Sequence, residues 1–299
     1  MLRITLNPGL KERTTLRLGG TALAEVIVTS VEDCRTLAEA VESFGGTPYV
    51  LGAGSNLLAH DGELPVVLLR CGIKSAPEVL GEGDDGAVLL RVGGGVPMPR
   101  LLTRCAKLGL SGLEGLSGIP GSVGGAVAMN AGSFGGSVGP LLRSITIYSN
   151  ELGVVDVPAA DIAYGYRSLH LKKHSASFLL LYATFGLTRA ATHGITEQMR
   201  QNFLKKKSTQ PLRAWSAGCT FKNPSAEQPA GMLLEQAGFK GKTLGGMAFS
   251  TLHANFMVNT GTGTAAAALD LMAMAQEAVL ERFGVRLEPE VRILSGRAG

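Results

Sequence analysis

Charge is sparse in this sequence, and so are clustered cysteines, long apolar runs and basic stripes. Charged residues make up 17% of 299 positions, and the net charge is only +4. The longest basic run, Lys205-Lys206-Lys207, reads as a solvated helix end more readily than as a diphosphate contact. With no dense basic stripe, nucleic acid is not an expected partner. Four cysteines, Cys34, Cys71, Cys105 and Cys219, stand far apart with no CxxC pair. That argues against a zinc site and a disulfide framework, and no metal is expected. No uncharged apolar run reaches the ~18 residues of a membrane span. The N-terminal MLRITLNPGLKERTT lacks the apolar core of a secretion signal. A cytoplasmic, reduced, soluble protein without a membrane partner is therefore expected.

What is abundant is glycine. Its 41 residues are about twice the ~7% share of ordinary chains. They cluster, which suggests backbone approaching a ligand rather than a flexible linker. Three regions follow from the hydrophobic pattern. Residues 25–72 read as a βαβ unit: a strand at 25–28, apolar helical spacing over 31–41, a strand at 48–51 and another at 66–69. Residues 73–188 read as α+β, with strands at 88–92, 145–148 and 178–182 and a helix opening near Pro97. Residues 189–299 hold a polar helix over 194–207, a short one over 232–236 and a long one over 264–283. Strands are expected at 254–259 and 287–294.

Several segments have chemical potential. Gly52-Ala53-Gly54-Ser55-Asn56-Leu57 follows a strand, so its N–H groups form either an anion nest, for example for a pyrophosphate, or a plain tight turn. Residues 112–139 are dense in glycine yet apolar. Ile119-Pro120-Gly121-Ser122 reads as a rigid turn. Gly124-Gly125-Ala126 leaves room for a flat ring against the backbone, and Asn130 and Ser133 add polar contacts. Gly261 to Ala266 matches the dinucleotide fingerprint G-x-G-x-x-A, but one strand alone follows it. The better reading is a helix start capped by Thr262 or Thr264. Cys219, between Gly218 and the polar Lys222 and Asn223, is either a small buried hydrophobe or an accessible thiol. Glu288 and Glu290 alternate on an extended chain, as acid/base groups or as a solvated edge. Arg167 is either a carboxylate clamp or half of a surface cation–π pair with Tyr166.

Together, and in order, these segments resemble the UDP-N-acetylenolpyruvoylglucosamine reductase (MurB) family. The resemblance rests on Thr14 to Gly20, LGAGSNLL at 51–58, the stretch 111–136, Tyr166-Arg167-Ser168, Ala217-Gly218-Cys219 with Phe221 to Pro224, and Glu290-Val291-Arg292. It implies an α+β chain: a two-subdomain FAD-binding fold of the vanillyl-alcohol-oxidase type (1–72 and 73–188) and a C-terminal α+β substrate-binding domain (189–299). It implies non-covalent FAD, held by residues 52–57, by Ile119, Pro120, Gly121 and Ser122, and by Gly124, Gly125, Ala126 and Asn130. It implies NADPH as electron source and a nucleotide-sugar substrate touched by Tyr166 and Asn223. The implied reaction reduces UDP-N-acetylglucosamine enolpyruvate to UDP-N-acetylmuramate, a peptidoglycan precursor. Hydride passes from flavin N5 to the β-carbon. Arg167 and Glu290 stabilise charge on the carboxylate, and Cys219 protonates the α-carbon. Two features depart from the family pattern. Cys219 stands where the family usually has serine, and no room exists for the tyrosine-bearing loop of longer members. The alternatives are a flavin-dependent sugar or alcohol oxidase of the same fold, or a non-catalytic nucleotide-sugar-binding module. Neither flavin loop carries a histidine for covalent attachment; His60 lies just outside the first.

Overall fold

The computed structural model describes residues 1–173 and 177–295. Its contacts divide into two compact units. The first comprises Met1–Leu6, Ala24–Ala53 and Val67–Lys205; the second comprises Asn7–Leu23, Gly54–Val66 and Lys206–Gly299.

In the first unit, strand Leu179–Arg189 lies at the centre of a six-stranded sheet. Leu142–Ser149 and Val88–Gly93 flank it antiparallel, and Gly153–Pro158 and Glu78–Glu82 lie outside them. The strand at Val88–Gly93 ends in Gly94-Gly95 and leads into helix Met98–Leu108. Pro97, in extended conformation, takes the N-cap of that helix, where its missing N–H costs no hydrogen bond. Leu101, Leu102 and Cys105 recur at helical spacing and pack on Val88, Leu90 and Val92. A smaller core joins Val26, Val28, Leu37, Val41, Val67 and Leu69. The helix expected over 31–41 is a 3₁₀ turn, Glu32–Thr36, continued by Leu37–Glu42. The strands on either side of it, Thr21–Val28 and Thr47–Val50, are not neighbours, because Glu63–Cys71 lies between them.

The second unit holds an antiparallel sheet in the order Trp215–Cys219, Phe256–Asn259, Met247–Phe249, Thr243–Leu244. Helices Ala230–Gln236 and Ala265–Phe283 bury Leu233, Leu234, Leu271, Met272 and Val279 in the same core as Phe221, Phe239 and Phe249. Leu57–Ala59 pairs parallel with Arg292–Leu294.

The strand expected over 287–294 is shorter, covering only 292–294. Pro289 has no N–H, so a continuous ladder cannot form there. Instead, Glu288 O accepts from Lys222 N (2.8 Å) and Glu290 N donates to Thr220 O (2.8 Å), leaving an isolated bridge between Phe221 and Pro289. Among the described residues, no helix is long and apolar enough to cross a membrane, and no group of three His, Cys, Asp or Glu side chains could hold a metal ion.

Candidate active site

The first glycine loop is held at both ends. Leu51 N donates to Leu69 O at 2.9 Å, and Thr15 N donates to Gly54 O at 3.0 Å. Gly54 has φ +67°, and a Cβ there would overlap the Arg13 carbonyl, so only glycine fits the turn. Thr15 also donates its hydroxyl to Ser216 O at 2.6 Å, which ties the same segment to the strand carrying Cys219. Asn56 does not point its amide away from the chain: Nδ2 donates to Glu290 O at 3.2 Å.

The second loop meets the first at one point. A Cβ on Gly52 would stand 3.1 Å from Ser122 Oγ and 3.6 Å from Gly125 Cα. Helix Val123–Ala128 starts at Ser122, whose Oγ accepts from Gly125 N at 3.3 Å. Val123 N donates to Val96 O (2.9 Å) and Gly124 N to Gly94 O (2.8 Å). The N–H groups that open this helix therefore have protein acceptors. Gly125 contributes room, since a Cβ there would meet only Ser122 Oγ at 3.6 Å, whereas a Cβ on Gly124 would press on Gly94 O at 3.2 Å. Ile119 is half-buried and Pro120 exposed, and Met98 N donates to Gly121 O at 3.0 Å, which locks the turn.

Asn130 is buried and joins three segments. Its Oδ1 accepts from Gly139 N at 2.7 Å, and its Nδ2 donates to Gly165 O at 2.8 Å. Gly165 closes strand Ile162–Gly165, which pairs with Ser168–Leu171 around the two-residue turn Tyr166-Arg167. Arg167 sits in that turn at φ +56°, donates Nη1 to Gly132 O at 3.2 Å, and lies 5.1 Å from the Tyr166 ring centroid. The cation–π contact is thus present, and the guanidinium is set against the glycine-rich segment.

In the second unit, Cys219 ends strand Trp215–Cys219 opposite Phe256, after a bulge that includes Gly218 at φ +83°. It is half-buried and lines a small cavity with Leu16, Ala217, Thr220, Met257 and Val291. Burial pushes the Cys34 thiol up to about 11 and the Cys105 thiol up to about 12. Thr220 is the hub beside Cys219. Its N–H donates to Asn255 O (2.7 Å), its carbonyl accepts from Glu290 N (2.8 Å), and its Oγ1 accepts from Met257 N (3.2 Å). Asn255, itself buried, brackets Phe221: Oδ1 accepts from Phe221 N at 2.9 Å and Nδ2 donates to Phe221 O at 2.8 Å. The two glutamates part company. Glu288 is exposed and paired with Lys222 at 3.1 Å, whereas Glu290 is half-buried. Asn223 uses Oδ1 to accept from Ala230 N (3.1 Å) at the start of a helix.

Thr220 and Asn255 carry no chemical signature in the sequence. The available hint is the amide of Asn255 inside the apolar strand expected over 254–259, since a buried amide must find partners; the strand itself begins at Phe256. The fingerprint-like Gly261 to Ala266 is a capped helix start. Thr264 Oγ1 accepts from Ala267 N at 3.1 Å, and Asp61 accepts from Ala265 N at 2.9 Å, where a phosphate would otherwise bind. Lys205 and Lys207 are exposed as expected of a helix end, but Lys206 is buried.

A family model described as the C-terminal domain of UDP-N-acetylenolpyruvoylglucosamine reductase matches residues 210–294. A model described as an FAD-binding domain matches residues 22–147. A UDP-N-acetylenolpyruvoylglucosamine reductase of Nitratidesulfovibrio vulgaris is 52% identical over 99% of each chain. One from Bacillus pumilus is 36% identical over 98% of this chain and 94% of its own. The crystal structure of the Thermus caldophilus reductase superposes with a TM-score of 0.80 at 32% identity, covering 98% of this chain and 99% of its own.

Proposed function

Because the chain belongs to the UDP-N-acetylenolpyruvoylglucosamine reductase family and carries its FAD-binding domain, we propose that it reduces the enolpyruvyl ether of UDP-N-acetylglucosamine to UDP-N-acetylmuramate. NADPH is the electron source, and the product is a peptidoglycan precursor made in the cytoplasm. The observation that carries this reading is the junction at Thr220. There, a thiol-bearing residue and a carboxyl-bearing segment distant in sequence are joined by one peptide, through Glu290 N to Thr220 O at 2.8 Å.

The glycine-lined surface fits FAD. At Gly125 a Cβ would meet only Ser122 Oγ, at 3.6 Å, and at Gly52 a Cβ would narrow the approach to the same hydroxyl. Gly52, Ala53, Gly54, Ser55 and Leu57 would hold the cofactor with residues 119–122 and 124–126, and Asn130 would shape the second loop beneath it. When bound, FAD supplies the hydride that adds to the substrate alkene.

The chain's own residues complete the reaction. Hydride addition at the β-carbon pushes charge onto the conjugated carboxylate. The Arg167 guanidinium, planar and permanently charged, is suited to hold that carboxylate by two parallel hydrogen bonds. Its left-handed backbone and its bond to Gly132 O limit its rotation before substrate arrives, as electrostatic preorganisation requires. Glu290 in protonated form would donate a hydrogen bond to the same oxygens. Cys219 then delivers its Sγ proton to the α-carbon. A thiol is a far stronger acid than the alcohol usual in the family. Tyr166 packs under Arg167 and would border the substrate, as would Asn223.

The decisive experiment follows the flavin spectrum of the purified protein. NADPH should bleach it anaerobically, and the enolpyruvyl substrate should restore it. A protein that binds no FAD, or one reoxidised by oxygen with a sugar donor and never by this substrate, would overturn the reading.

A further inference from the structure

We infer that Asn56 is a positioning residue for Glu290 and that its side-chain amide is not a cofactor ligand. The inference rests on the reaction proposed above. Asn56 lies inside the first glycine loop, where a donor is easily assigned to a pyrophosphate. Its Nδ2 instead donates to Glu290 O at 3.2 Å, and its backbone carbonyl accepts from Arg292 N at 3.1 Å. One residue thus grips the chain on both sides of Val291, which is buried. From the other direction, Thr220 O accepts from Glu290 N at 2.8 Å. The Glu290 peptide groups are therefore fixed at the N–H and at the C=O, by two segments that the sequence keeps far apart.

The consequence is geometric. A side chain's rotamers depend on its own φ and ψ, so fixing both flanking peptides narrows where the Glu290 carboxyl can go. Pro289, next to Glu290, cannot contribute an N–H to hold this stretch. The parallel pairing of Leu57–Ala59 with Arg292–Leu294 begins only after residue 291. Asn56 is the donor that covers the gap. Asparagine suits the place because Glu290 O needs an N–H. An aspartate of the same shape would set carboxylate oxygens against that carbonyl.

The test compares FAD-loaded wild type with Asn56→Asp, Glu290→Gln and the double variant. Flavin reoxidation by substrate should slow by about 10- to 10²-fold in Asn56→Asp, the scale of misplacing a catalytic group by ~1 Å. Flavin reduction by NADPH should change little, and FAD affinity, read by flavin fluorescence, should stay within about threefold. In the Glu290→Gln background, Asn56→Asp should add almost nothing, since no acid is left to position. Asn56→Gln, which keeps the donor on a longer arm, should recover part of the rate. Amide exchange at Glu290 and Arg292 in the holoenzyme should rise in Asn56→Asp, and this readout needs no turnover. Weakening of FAD binding by tenfold or more, with unchanged exchange at Glu290, would overturn the inference and make Asn56 a cofactor ligand. So would additive losses in the double variant. A wild-type flavin that NADPH bleaches but substrate never reoxidises would sink the proposed reaction instead, while amide exchange still decides for or against the clamp.

Discussion

Replacing Asn130 should loosen the mounting of Arg167, and the structure allows the size of the effect to be worked out. Asn130→Ala removes two hydrogen bonds, from Gly139 N (2.7 Å) and to Gly165 O (2.8 Å). Gly139 is buried, so its orphaned N–H costs about 1–3 kcal/mol. Gly165 is exposed, so water replaces the lost donor and the net loss there is at most ~0.5–1.5 kcal/mol. Asn130 also has φ +38°, a region asparagine tolerates better than alanine, for which a left-handed residue costs roughly 1–2 kcal/mol. The expected destabilisation of Asn130→Ala is therefore about 2–6 kcal/mol. Asn130→Gly separates the contributions. It loses the same bonds but relieves the backbone, so it should fall between wild type and alanine. Urea unfolding measures both, with the m-value as a check that the same surface is exposed. The hairpin carrying Arg167 loses its anchor in both variants, so the concentration of enolpyruvyl substrate needed for half-maximal flavin reoxidation should rise as well. If both variants unfold within ~0.5 kcal/mol of wild type, the range of ordinary surface substitutions, the bonds of Asn130 contribute nothing and the reasoning fails.

Three further outcomes are expected. Cys219→Ala should leave FAD binding and NADPH-driven bleaching nearly intact but slow reoxidation by substrate by about 10²–10⁴, with Cys219→Ser keeping much more activity; stopped-flow traces of each half-reaction would reveal equal rates if Cys219 only packs. Glu290→Gln should damage that same half-reaction more than Glu288→Gln, since Glu288 is exposed and paired with Lys222; the reverse order in the two measured rates would assign the role to the wrong carboxyl. Burial holds the Cys34 and Cys105 thiols at about 11 and about 12 against an ordinary value of 9.0. The unfolded chain therefore loses these protons first, and stability should be intact below pH 9 and fall as pH rises from 9 towards 12. Urea midpoints measured across that range test the sign, and Cys105→Ala should flatten the decline.

Much of the glycine-loop geometry was legible in the sequence because glycine has few structural uses. A dense apolar glycine stretch after a strand implies close approach of backbone, and the turn at Gly54 admits no other residue. The helix start at Gly261 was legible too, because Thr264 has the chemistry of a cap. Other features were not. The strand expected through Glu288 and Glu290 fails at Pro289, and the alternation that paired those carboxylates says nothing about which is exposed. The amide of Asn56 has the same chemistry whether it faces a phosphate or a carbonyl, and only the fold brings the Glu290 carbonyl to it.

The sequence by itself determined the family and the glycine loops, because motif order and local backbone chemistry are written residue by residue. Tertiary structure alone decided the partners. The opening N–H groups of helix Val123–Ala128 are taken by Val96, Gly94 and Ser122, Asn130 joins the second loop to the Arg167 hairpin, and Thr220 and Asn56 hold Glu290 from two sides. A hydrogen bond reads distance and direction, and neither exists until segments distant in the sequence are packed together.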